Sequence, residues 1–179
     1  GAWAAAKTVS PRARVRAAAQ GANVLVYLGH GNGWPRIYGP FQPVTKDGLG
    51  LDPGSGANST STVYYGEDFI RKDILLAPNA VVLLYHLCYA SGNTEPGLAA
   101  GTSSQARQRV DNYGAGFIGA GARAVFAEGH PAHPPTNLIR RLFTTNRTME
   151  ALFRGGPTAH GNVLGPYESQ RTPGLQFLL

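Results

Sequence analysis

Apolar residues gather in three short runs along this chain, and each run ends at small or turn-forming residues. "NVLVYLG" (Asn23–Gly29), "AVVLLYHL" (Ala80–Leu87) and "ARAVFAEG" (Ala122–Gly129) are continuous rather than alternating, and rich in branched side chains. Such runs predict short strands buried on both faces. The first is preceded by "ARVRAAAQGA" (Ala13–Ala22), which has helical composition and stops near Gly21. A longer helix is predicted over "SSQARQRVDNYGAGFIGAG", capped by Ser103 or Ser104, with Ala106, Val110, Gly114, Phe117 and Ile118 on its inner face. "GEDFIRKDILLAPN" reads as a short helix leading into the second strand. "TNLIRRLFT" and "TMEALFRG" read as helices capped by Thr136 and Thr148, and "TPGLQFLL" as a final strand.

Strands alternating with helices predict an α/β fold: a mostly parallel sheet covered by helices on both faces, in one domain spanning residues 1–179. Residues 31–66 stand apart as a long segment rich in Gly, Pro, Asn, Ser and Thr. A loop or insertion of that length is functional, disordered or conceals a small hairpin.

Composition narrows the class. Hydrophobic content of 42% and charged content of 15% describe a folded globular chain, and the 24 glycines and 13 prolines require much loop. The net charge of +6 is spread along the sequence. Its densest groups, "PRARVR" and "IRR", lack the interleaved aromatics of a nucleic-acid platform, so no nucleic-acid partner is expected. No apolar run reaches the length of a membrane span. A single cysteine excludes an internal disulfide. The chain begins at Gly1 and ends on the apolar "LQFLL", the pattern expected of a processed or truncated piece of something longer.

The chemistry concentrates at the ends of the predicted strands. In parallel sheets the ligand crevice lies outside the carboxyl ends of the strands. The first run ends in "GHGNG" with His30, the second in "HLCYASG" with Cys88, and the third in "EGHPAH" with Glu128, His130 and His133. If these strands are neighbours, a thiol and an imidazole face one crevice. Histidine is the usual group that turns a thiol into a nucleophile. Gly31 would let a backbone N–H approach a substrate carbonyl, and the N–H of Cys88 would complete an oxyanion hole.

An apolar strand ending in His-Gly ("GHGNGWP") followed by an apolar strand ending in Cys ("LCYASGN") resembles the caspase–gingipain clan of cysteine peptidases. The resemblance runs from roughly Asn23 to Arg154. "GFIGAGARAVFAEG" is similar to the helix-to-strand stretch after the cysteine in CHAT-type domains, and "NLIRRLFTTNRTMEALFR" to the helices that follow. The resemblance implies a caspase-like three-layer sandwich and a cysteine endopeptidase that takes a peptide or protein substrate and no cofactor. It makes His30 the general acid/base, Cys88 the nucleophile and Gly31 the glycine whose N–H holds the oxyanion. It also implies an extracellular or cell-surface location, as for many relatives of this kind. Two departures stand out. "HLCYASG" replaces the caspase "QACRG", which excludes a strict caspase. The clan's sheet begins with a strand before the first helix, and none is visible ahead of Ala13.

Each of these residues also has a plainer reading. Cys88 can be a small buried hydrophobe. His86, two positions earlier, shares a strand face with Cys88 and reads best as a buried histidine bonded to backbone. His130 and His133, with His30 and Cys88, offer nitrogen and sulfur donors suited to zinc, although proline interrupts "HPAH". Glu128 can bind a basic substrate side chain or pair with Arg123 or Arg36. Trp34 can wall the crevice, or with Tyr38 and Phe41 pin the long loop. Asp47 and Asp52 carry oxygen donors for calcium but fit no loop motif, and a solvated turn is the default. Two further functions therefore stand beside the hydrolase: an inactive caspase-like module for binding or surface display, and a zinc-dependent hydrolase.

Overall fold

The computed structural model describes residues 10–52, 61–129, 135–156 and 163–179. In chain order its elements are α1 (Pro11–Ala19), β1 (Val24–Leu28), β2 (His30–Asn32), β3 (Gly48–Leu51), β4 (Val63–Tyr65), α2 (Glu67–Asp73) and β5 (Ala80–Tyr85). Then come α3 (Ser103–Gly119), β6 (Ala122–Glu128), α4 (Thr136–Thr144), α5 (Met149–Arg154), β7 (Tyr167–Glu168) and β8 (Gln176–Phe177).

The three apolar runs form one parallel sheet in the order β1-β5-β6. β5 is central, and all six of its residues are buried, as a continuous apolar run requires. Alternation along β5 then builds two cores. Val82 and Leu84 join Ala19 of α1, Ile70 of α2 and Phe117 of α3 on one face. Val81, Leu83 and Tyr85 meet Leu138, Ile139 and Leu142 of α4 and Leu152 and Phe153 of α5 on the other. Helices therefore cover both faces of an α/β sheet. Each fully buried Leu or Val contributes about 1.5–3 kcal/mol relative to exposure.

The helix ends follow side-chain chemistry. Ser10 caps α1 by accepting from the Ala13 amide at 3.3 Å, and Pro11 fills the first turn. The α3 cap is Thr102, one residue before the expected serines. Thr102 accepts from the Gln105 amide at 3.2 Å while Gln105 accepts from the Thr102 amide at 2.9 Å, a reciprocal box that neither serine can form. Thr148 caps α5 as its sequence predicts, accepting from Ala151 at 3.2 Å. Pro135, rather than Thr136, precedes α4.

Three expectations change. β1 is an edge strand among the described residues, and Val26 and Leu28 are 36% and 54% exposed, so this run is not buried throughout. β5 stops at Tyr85, before His86. The C-terminal apolar residues do not join the main sheet. Gln176–Phe177 pairs antiparallel to Tyr167–Glu168 instead, and Leu179 exchanges backbone hydrogen bonds with Leu164 at 2.8 and 3.0 Å.

The glycine-rich segment is ordered where it is described. β2, β3 and β4 make a small antiparallel sheet, with His30 opposite Gly50 and Leu49 opposite Tyr65. Leu49 and Tyr65 are fully buried and anchor it to the α1–α3 core. Among the described residues no helix is long and apolar enough to cross a membrane.

Candidate functional site

Because β1 and β5 are adjacent and parallel, their carboxyl ends lie at the same rim of the sheet. The chain leaves β1 at Gly29, whose amide bonds to Tyr85 at 3.2 Å, and enters β2 at His30. It leaves β5 at His86, whose amide bonds to Glu128 at 2.9 Å. The two departing segments then meet. A Cβ on Gly31 would lie 2.7 Å from the Cys88 carbonyl oxygen, 2.9 Å from Leu87 Cβ and 2.4 Å from the Tyr113 hydroxyl. Only glycine fits there, since these distances are below any real Cβ contact. Thus the backbones bearing His30 and Cys88 are in contact. His30 is exposed, Gly31 is buried and Cys88 is half-buried.

The turn that carries the cysteine is strained. His86 and Tyr89, on either side of Leu87 and Cys88, have φ of 64° and 75°. Left-handed backbone at non-glycine residues costs about 1–3 kcal/mol per position and persists only where the surroundings enforce it. Here Leu87 and Tyr89 are 0% and 1% exposed, and their burial in the core holds the turn. His86 itself is exposed and lies past the strand end. The expected buried histidine sharing a strand face with Cys88 is therefore absent, because β5 ends too early to impose that alternation.

Electrostatics around the sulfur oppose one another. Burial pushes the Cys88 thiol up and the Glu95 carboxylate adds to that, while the residue's own amide and the Arg36 guanidinium pull it down. Glu95 accepts from the Tyr89 hydroxyl at 2.8 Å and lies 3.8 Å from Arg36 Nη1. Arg36 also donates to Asn32 Oδ1 and stacks 4.6 Å above the Tyr38 ring. The ammonium of Lys46 donates to the same Asn32 oxygen at 3.3 Å. Burial, followed by Arg36, pushes its pKa down.

Beneath this rim lies a buried polar layer. Asp47 is fully buried, so the expected solvated turn is not found there; Asp52 is exposed. Asp47 Oδ1 accepts from the Trp34 amide at 2.9 Å, and Oδ2 is buried without a hydrogen-bond partner. Burial pushes its carboxyl up to about 7, with the Trp34 N–H opposing and Glu67 adding. Glu67 is held by Arg171 Nη2 at 2.5 Å and by Arg71 Nη1 at 3.2 Å. Tyr113 joins the layers: its hydroxyl accepts from the Asn32 amide at 2.9 Å and donates to the Gly48 carbonyl at 2.9 Å.

α3 holds the loops that frame the site. Arg109 Nε donates to the Pro35 carbonyl at 2.8 Å, and its Nη1 donates to the Gly92 and Asn93 carbonyls at 3.2 and 3.1 Å. Asn112 donates to the Trp34 carbonyl at 3.0 Å. Trp34 is thus a pinned loop residue, with its ring tilted against Phe41 at 6.4 Å. Glu128 ends β6 opposite Tyr85 and pushes that phenol up, after burial. Arg36 pairs with Glu95 rather than with Glu128, because both follow the strand ends into the same loop layer.

His130 and His133 lie outside the described residues, and with them the zinc donors of the third strand end. Among the described residues no group of three or more His, Cys, Asp or Glu is placed to hold a metal ion. Sequence reasoning missed Glu95, Lys46, Glu67, Arg109, Tyr113 and Arg171. A partial signal was available for Arg109, Asn112 and Tyr113, whose spacing puts a polar stripe on one face of a helix otherwise read for its apolar positions. Comparison with protein-family models, curated proteins and solved structures finds no match.

Proposed function

We propose that this chain is a cysteine hydrolase of caspase-like fold, with Cys88 as nucleophile and His30 as general acid/base. The observation that carries this reading is the contact of the two strand-end segments, with Gly31 against the Cys88 carbonyl at a distance only glycine tolerates. The strained turn around Cys88 supports it, because such backbone is concentrated at functional sites.

In this reading a peptide carbonyl is held by the N–H groups of Gly31 and Cys88. Sulfur attacks the carbonyl carbon as His30 takes the thiol proton. The C–N bond breaks, and His30 passes that proton to the departing amine, leaving a thioester. Water then attacks the thioester, His30 accepts its proton, and the thiol is regenerated as the acid leaves. The raised thiol pKa means that the resting sulfur carries its proton, so proton transfer accompanies attack instead of preceding it.

The same raised pKa favours a second reading, a caspase-like binding or display module whose thiol is inert. Thiol labelling with iodoacetamide and turnover of a mixed peptide library separate the two. The hydrolase reading expects Cys88→Ala to abolish turnover and His30→Ala to lower it by about 10²–10⁴-fold. Unchanged labelling and turnover in His30→Ala would sink the dyad. Wild-type protein that cleaves no peptide, and labels only as fast as His30→Ala, is the binding module.

A further inference from the structure

α3 contains three glycines in its second half, and two have an evident packing reason. A Cβ on Gly116 would lie 3.2 Å from Glu67 Cγ, and one on Gly119 would lie 2.8 Å from Arg71 Nε. Gly114 has none: a Cβ there meets nothing within 4 Å. A glycine in a helix interior costs about 1 kcal/mol relative to alanine, so this one is unexplained by packing. It faces a cleft of about 320 Å³ between α3, β6, α5 and the C-terminal segment. The cleft is walled by Val110, Ile118, Phe126, Phe153, Leu175 and Phe177. Its size and apolar walls match those of small-molecule sites. The missing side chain of Gly114 keeps the space open.

The charges on the cleft wall select the ligand. Asp111 is already satisfied, accepting from the Ser169 hydroxyl and from the amides of Gln170 and Arg171 at 2.7 and 3.2 Å. Glu150 is neutralised by Arg154 Nε at 2.8 Å. Arg123 is exposed at the start of β6 and makes no ion pair among the described residues. A mostly apolar cleft with one uncommitted guanidinium at its edge complements an apolar body ending in an anion. The cleft follows β6 from Arg123 to Ala127, a span of about 13 Å at the rise of a strand, which suits an extended alkyl chain.

We propose that this cleft binds a straight-chain carboxylate of the fatty-acid type, with its alkyl chain along Gly114 and Val125 and its carboxylate on Arg123. The cleft reaches the Cys88 loop at Ala90 and Ser91 but takes in neither His30 nor Cys88, so the proposal stands whether or not the chain is a hydrolase.

Titration of the isotopically labelled protein with decanoate below its micellar concentration, followed by amide NMR, tests this. Saturable shifts are expected in 110–118 and 122–126, with decan-1-ol binding at least about fivefold more weakly. Arg123→Gln is expected to erase that preference by weakening decanoate alone. Gly114→Leu should fill the cleft and abolish binding. Gly114→Ala should raise the melting temperature and weaken binding less, which guards against a folding defect in the leucine variant. Absent or unsaturable shifts, equal affinity for the alcohol, or undiminished binding to Gly114→Leu would each overturn the proposal.

Discussion

Replacing Asp47 by Asn tests the buried polar layer through its pH dependence. The folded protein raises this carboxyl from 3.8 to about 7, chiefly by burial. The native state therefore holds the proton more tightly than the unfolded chain does. Stability from that protonation is complete below about pH 4 and is lost as pH rises through about 7. Between about pH 5 and about pH 8 the loss is on the order of 3 kcal/mol, at 1.36 kcal/mol per pH unit over the portion below 7. Asp47→Asn keeps an oxygen to accept from the Trp34 amide and removes the ionisation. Its new amide hydrogens replace an oxygen that lacks a partner, a change of about 1–3 kcal/mol that does not vary with pH. Urea denaturation of both proteins at about pH 5 and about pH 8 gives the comparison, with an expected wild-type midpoint shift of about 1–3 M. The variant should be nearly flat across the same interval. Every other ionisable group is common to both proteins, so the difference between the two slopes isolates Asp47. Equal slopes would refute the assignment of a neutral carboxyl at this position.

Other outcomes follow from the same contacts. Tyr113→Phe strips the Asn32 amide and the Gly48 carbonyl of a shared partner and should cost about 1–3 kcal/mol in chemical denaturation. Gly31→Ala forces a methyl against the Cys88 carbonyl and the Tyr113 hydroxyl; a loss of about 1–3 kcal/mol, or roughly 3–10 °C in melting temperature, is expected by calorimetry. Alkylation of Cys88 should still be accelerating with pH where an unperturbed thiol has levelled off, because burial and Glu95 both oppose its ionisation. A rate plateau at neutral pH would contradict that. Arg36→Gln should push this profile further towards alkaline pH, since the guanidinium now favours the thiolate.

The sheet was legible because its signal is local. The six residues of β5 are apolar without interruption, and such a run has few alternatives to a central strand. Both cores follow from its alternation. β2, β3 and β4 were hidden because they are three or four residues long and carry glycine or tyrosine where branched residues would announce a strand. Their positions depend on Tyr113, which is 65 residues from Gly48 in sequence, and helix spacing alone does not say which strand its hydroxyl reaches. The inner face assigned to α3 was only partly right. Phe117 is buried, but so are Arg109, Asp111 and Asn112, because that helix packs against loops whose carbonyls need donors and whose amides need an acceptor. An apolar periodicity cannot report a helix that buries polar groups for that purpose. For the candidate site, sequence brought His30 and Cys88 to one rim through the parallel order of their strands. Glu95 and Lys46 escaped, and Arg36 was read only as a partner for Glu128, because loop paths, not strand ends, deliver them.

One guanidinium, that of Arg109, grips the carbonyls of Pro35 on one side and of Gly92 and Asn93 on the other. The two walls of the rim consequently share a hinge pin and cannot loosen independently. A breath of α3 long enough to free that side chain would open the whole mouth at once, so solvent exchange of both loops should follow the rhythm of the helix.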